Sequence, residues 1–149
     1  MTRITHEQRE QLKAFATGDI DRAQHLSTAM PDEDWSSYRL LHAALFAVLL
    51  NNHFQGDLSP QIIADFVDGI RRDYKAANIQ FNSWTVEGIL RATAGEEHLF
   101  EYFSSEDVIS TQTIVVGRLT SYDQNVSDNI DVFLDDAEAL IAKWEQGDQ

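Results

Sequence analysis

The chain has 149 residues, 43% of them hydrophobic and none of them cysteine, and its 11 Lys and Arg stand against 25 Asp and Glu for a net charge of −14. This length and apolar content fit one folded domain and exclude intrinsic disorder, while the missing cysteines exclude disulfides, thiolate metal sites and a cysteine nucleophile and suit a reducing cytoplasm. The acidity works against nucleic acid and anionic membranes as partners, because neither offers counter-charge.

The opening residues, MTRITHEQREQ, are polar and lack the apolar run of a secretory signal. A helix is predicted over 6–17, opened by a capping box of Thr5 and Gln8, striped by Leu12, Phe15 and Ala16, and stopped by Gly18. A second, over 20–29, presents Ile20, Ala23 and Leu26. Pro31 and the acids Asp32, Glu33 and Asp34 mark the start of a third, where the helix dipole favours negative charge. It runs to about Asn52 and is apolar nearly all round over Leu40 to Leu50, so it reads as the central helix of a bundle. Such a stretch rises only about 16 Å, too short for a hydrocarbon layer of about 30 Å.

Ser59 and Pro60 form an N-cap and first-turn pair for a helix over 60–77. Ile62, Ile63, Phe66, Val67, Ile70 and Tyr74 share one of its faces, with Asp68 and Arg72 able to pair on the other. Asn82 or Ser83 caps a helix over 83–94 with Trp84, Ile89 and Leu90 inward. A short helix over 96–103 is expected to turn Phe100 and Phe103, three apart with Leu99 alongside, toward the core. The next, over 106–121, contains eight β-branched residues in the thirteen from Val108 to Thr120. That composition suits a strand, but a lone strand has nothing to pair with, so helix is preferred. Ser127 is expected to cap the last helix, whose residues Ile130, Phe133, Leu134, Ala137, Leu140, Ile141 and Trp144 give the cleanest amphipathic spacing in the chain.

Helix breaks of Gly followed by an acid recur at Gly18, Gly56 and Gly95, each between two predicted helices. Together these elements predict an all-α fold in a single domain over 1–149, with seven or eight helices as an orthogonal bundle or a short stack of αα-hairpins.

Catalytic signatures are absent. There is no HExxH or ExxH pair, no GxSxG and no Gly-rich phosphate loop. Asp123 to Leu134 places Asp123, Asn125, Ser127 and Asp131 where a calcium loop has oxygen ligands. Asp128 stands in place of its glycine and Leu134 in place of its bidentate glutamate, which favours a capped polar turn instead. The sequence therefore calls for no metal and no cofactor.

Charge carries the functional expectation. Residues 92–149 hold thirteen acids against Arg118 and Lys143 alone. Within them Tyr102 is expected to face solvent among Glu97, Glu101, Glu106 and Asp107, with Asp131 and Asp135 continuing the acidic field. Acids steer association and aromatics anchor it, so these residues predict a non-enzymatic module that binds a basic protein, as an inhibitor, an immunity or antitoxin-type neutraliser, or an adaptor. The alternative is an inter-helical pocket for a substrate or small ligand. It would be built from Tyr38, His42 and Tyr74, with His42 as the acid–base group.

Overall fold

Helix starts and stops follow local chemistry closely. The computed structural model describes residues 2–147. Among those residues the secondary structure is eight α-helices and two short 3-10 turns, with no strand. The first helix, α1 (His6–Ala16), opens on the predicted capping box: the Gln8 backbone N–H donates to Thr5 Oγ1 at 3.1 Å and the Thr5 N–H donates to Gln8 Oε1 at 2.8 Å. It closes at Gly18, whose φ of +83° lies in the left-handed region that favours glycine. There the Asp19 N–H donates to Ala14 O at 2.8 Å and the Gly18 N–H to Phe15 O at 3.2 Å, which satisfies carbonyls that the helix end would otherwise leave unpaired.

The same paired closure ends α4 (Pro60–Ala76) at Asn78, φ +58°, and α5 (Ser83–Thr93) at Gly95, φ +135°. Gly56, φ +80°, follows α3 (Trp35–Phe54). The recurring Gly-acid pairs in the sequence are therefore helix stops.

Two compact units make up the chain. The first comprises Met1–His53 and Gln112–Gln149. It contains α1, α2 (Ile20–Ala29), nearly all of α3, the C-terminal part of α6 (Ser105–Ser121), the short α7 (Gln124–Asp128) and α8 (Ile130–Gly147). Its buried side chains include Leu12, Leu41, Leu45, Leu49, Val115 and Leu134. α2 packs on α1, and α8 is tied to α1 by ion pairs of Arg9 with Asp135 and Glu138 and of Lys13 with Asp131. The predicted stripe of α8 is buried from Ile130 through Ile141 except at Leu140, which is half-buried, and fades at Trp144, which is 38% exposed.

Ser127 does not cap α8 as expected; the cap in this stretch is Asp123, which opens α7, its Oδ1 accepting the N–H groups of Asn125 and Val126. Ser127 lies inside α7, a single turn too short to register as a periodic pattern. The stretch that resembled a calcium loop is thus helical, and Asp131, one of its candidate ligands, faces Lys13 at 2.9 Å.

The second unit, Phe54–Thr111, holds α4, α5, a 3-10 turn at Glu97–Tyr102 and the first residues of α6. α4 packs on α5 around Ile63, Val67, Ile70, Val86, Ile89 and Leu90. Asn82 is the cap of α5, its Oδ1 accepting the Thr85 N–H at 3.2 Å. α6 is helical despite its β-branched content. Ser104 and Asp107 cap it reciprocally, at 3.1 and 3.0 Å, and further along the Thr120 hydroxyl donates to Val116 O at 2.8 Å.

Candidate functional site

On α5 the buried arc is formed by Val86, Ile89, Leu90 and Ala92. At about 100° per residue, Trp84 points about 160° away from Val86. The indole expected in the core is accordingly 63% exposed. Trp84, Gly88 and Arg91 follow at helical spacing and form a second, outward face. Phe103, just beyond the 3-10 turn, lies across it. Its ring centroid is 4.9 Å from that of Trp84, with planes at 51°. A Cβ at Gly88 would stand 2.4 Å from Phe103 Cζ, so the absent side chain is what lets the ring lie against the helix.

Two depressions flank Trp84. One, of about 260 Å³, is bounded by Trp84, Glu87, Leu99, Tyr102 and Phe103, with Arg91 in its wall. The other, of about 470 Å³, carries Asp65, Asp68, Arg71 and Glu87. Tyr102 is 65% exposed, and Phe100, expected in the core, is also surface-facing. The expected shared stripe is broken at Phe103, which lies just past the 3-10 turn in extended backbone and so does not continue the helical spacing of Leu99 and Phe100.

The cations beside these depressions are held by acids. Arg91 donates from Nε and a terminal nitrogen to Glu96 at 2.6 and 2.8 Å. That hydrogen bonding holds the Glu96 carboxyl below its ordinary range and raises the Arg91 guanidinium. Arg71 pairs with Asp68, whose carboxyl is likewise held low by this hydrogen bond. Glu97, Glu101 and Glu106 are exposed and form no ion pair with Lys, Arg or His among the described residues. Asp107 is engaged as the cap of α6. Asp131 and Asp135 are placed elsewhere, on α8 in the first unit, and there they meet Lys13 and Arg9. The seven acidic and aromatic residues singled out from the sequence therefore divide. Glu97, Glu101, Tyr102, Glu106 and Asp107 fall in the 3-10 turn and first turn of α6, whereas the acids of α8 are largely countered within their own unit.

The residues of the pocket reading divide as well. Tyr74 belongs to the second unit and packs on Phe81 at 5.1 Å between centroids. Tyr38 and His42 share a face of α3, 6.4 Å between centroids, and that face meets α1. Gln8 Nε2 donates to Asp34 O at 3.0 Å and to Ser37 Oγ at 2.7 Å. Phe15 meets His42 edge to face at 6.0 Å. Burial raises the Tyr38 hydroxyl against the opposing effect of a hydrogen bond from Gln11. His42 is only 6% exposed, and burial lowers its pKa to about 4. Its Nε2 and the Oε1 of Gln11 have no hydrogen-bond partner among the described residues. A neutral, enclosed imidazole of this kind is a poor general base at neutral pH. Gln8 and Gln11 could have been anticipated from the sequence only by their place on the Leu12 and Phe15 face of α1.

Among the described residues no three His, Cys, Asp or Glu side chains gather where a metal ion could be held, and no helix is long and apolar enough to cross a membrane. No known protein family matches the chain, and comparison with curated proteins and with solved structures finds no match.

Proposed function

We propose that this chain is a non-enzymatic binding module that engages a basic protein, as an inhibitor or neutraliser does, through the exposed aromatic and acidic surface of its second unit. The observation that carries this reading is the exposure of Trp84 and Tyr102 in a unit whose Glu97, Glu101 and Glu106 are exposed and form no ion pair among the described residues. Large exposed aromatics are the residues most often found as interface anchors, and charged rims govern the rate of encounter more than the final affinity. The second unit carries ten acids against four Lys or Arg, and three of those cations already pair with Asp68 or Glu96. This favours the 3-10 turn and α5 as the contact surface over α8, where Asp131, Asp135 and Glu138 already pair with Lys13 and Arg9.

The test is purification of the tagged chain from its native host at low salt, followed by identification of co-purifying proteins and measurement of association rates. A stoichiometric basic partner is expected, with an on-rate that falls steeply as salt is raised. A partner whose on-rate ignores salt, or one that is acidic, overturns the reading.

A further inference from the structure

Resting on that reading, we infer that the depression bounded by Trp84, Phe103 and Tyr102 receives a cationic side chain from a basic segment of the partner. Three features carry the inference. The walls are aromatic, and the faces of Trp and Tyr attract organic cations through the ring quadrupole. Leu99 and the rings offer apolar surface to the alkyl stem of a lysine or arginine, while Glu87 supplies a carboxylate in the same depression. Gly88 completes the floor, because any larger residue there would displace the Phe103 ring on which Trp84 rests.

Arg91 also lines this depression and would repel an incoming cation if its charge were unopposed. It is not unopposed. The guanidinium is clamped by both oxygens of Glu96, and the charge of Glu87 adds to its stabilisation, so two carboxylates face one cation. On the far side of Trp84 the second depression continues with Asp65, Glu87 and the Asp68–Arg71 pair. A segment bearing several cations can thus place one against the aromatic rings and the next among these acids. Within the same unit, the stretch from Ala92 to Thr111 carries five acids and no Lys or Arg.

The inference is tested on the full chain with an oligolysine peptide at low salt, following the tryptophan indole N–H resonances, with an oligoglutamate peptide as control. The Trp84 resonance is expected to shift saturably with oligolysine and not with oligoglutamate. Trp84→Leu keeps apolar area but removes the ring face, and should weaken binding about five- to thirty-fold, whereas Trp84→Phe should retain most of it. Tyr102→Leu provides a second variant, and circular dichroism confirms that each variant keeps its helical content. If Trp84→Leu and Tyr102→Leu both bind oligolysine as the unmodified chain does, this depression is not the cation site, yet binding to the acidic surface stands. If neither oligolysine nor oligoarginine binds at low salt, the basic-partner reading falls together with the site.

Discussion

Acidification should destabilise this protein through one side chain before its carboxylates begin to titrate. His42 is buried against Phe15 and Tyr38 with Nε2 unpaired, and burial lowers its pKa from 6.5 to about 4. The folded state therefore disfavours the protonated ring, while the unfolded chain binds the proton near pH 6.5. Because the unfolded state holds more protons between those two values, stability is fully present above about pH 6.5 and falls as the pH drops toward 4. At about 1.4 kcal/mol per pKa unit the loss amounts to about 3 kcal/mol, a large part of the roughly 5–15 kcal/mol typical of a folded domain. The four other histidines are exposed. Asp68, Glu96 and Glu145, whose carboxyls are held low by Arg71, Arg91 and Thr2, contribute stability that is lost only as the pH falls through the carboxylate range. The assay is urea unfolding followed by circular dichroism across this interval, on the native chain and on His42→Leu. The leucine removes both the titration and an unpaired buried nitrogen, so it should match or exceed the native stability at neutral pH and lose the dependence above the carboxylate range. If the two proteins fall in parallel from about pH 6.5 to 4.5, the reasoning about His42 is wrong.

Other perturbations follow from the same geometry. Gly18→Ala should cost about 1 kcal/mol because its φ of +83° strains any side chain, although nothing lies within 4 Å of the added methyl. Gly117→Ala, equally uncrowded but inside α6, should instead gain about 0.5–1 kcal/mol. Thermal or urea unfolding of the pair checks the opposite signs. Gly88→Ala, which in an open helix would also gain about 1 kcal/mol, should show no gain or a loss, because its methyl meets the Phe103 ring. Near-ultraviolet dichroism should report the disturbed Trp84–Phe103 pair. Arg9→Met, which keeps the apolar stem but loses Asp135 and Glu138, should cost about 1 kcal/mol at low salt and less at high salt. An undiminished cost at high salt would point to packing rather than charge.

Much of the helical framework was legible because its determinants are local. The Thr5–Gln8 box, the Gly18 and Gly95 stops and the Ile130–Ile141 stripe each depend on residues within a turn or two. What was misread depended on contacts beyond that range or on finer geometry. Trp84 reads as inward because it is apolar, although its angle from Val86, Ile89 and Leu90 sets it on the opposite face. Phe100 reads as a core residue by its spacing from Phe103, but Phe103 lies past the end of the turn in extended backbone. Burial of Gln8 and Gln11 arises from the face of α3 that they meet, and within α1 only their place on the Leu12 and Phe15 face points to it. Tyr102 and its acids were recognisable as a charged aromatic cluster, but Gly88 and Phe103, which shape the adjoining depression, meet only when α5 and the following turn are folded. The acids of α8 looked equally available in the sequence, because Arg9 and Lys13, which counter them, lie more than a hundred residues away.

The order in which the two units occur along the chain bears on how the protein is made. The second unit is contiguous, whereas the first is assembled from segments on either side of it. When Thr111 has been synthesised, every residue of the second unit exists, yet the C-terminal part of α6 and all of α7 and α8 have still to be translated. At roughly 5–20 residues per second, the remaining stretch takes a few seconds. During that interval the nascent chain holds α1 without the carboxylates of α8 that will neutralise Arg9 and Lys13. The long-range closure that joins the two segments of the first unit therefore has to wait until α8 has been made, after every residue of the second unit already exists.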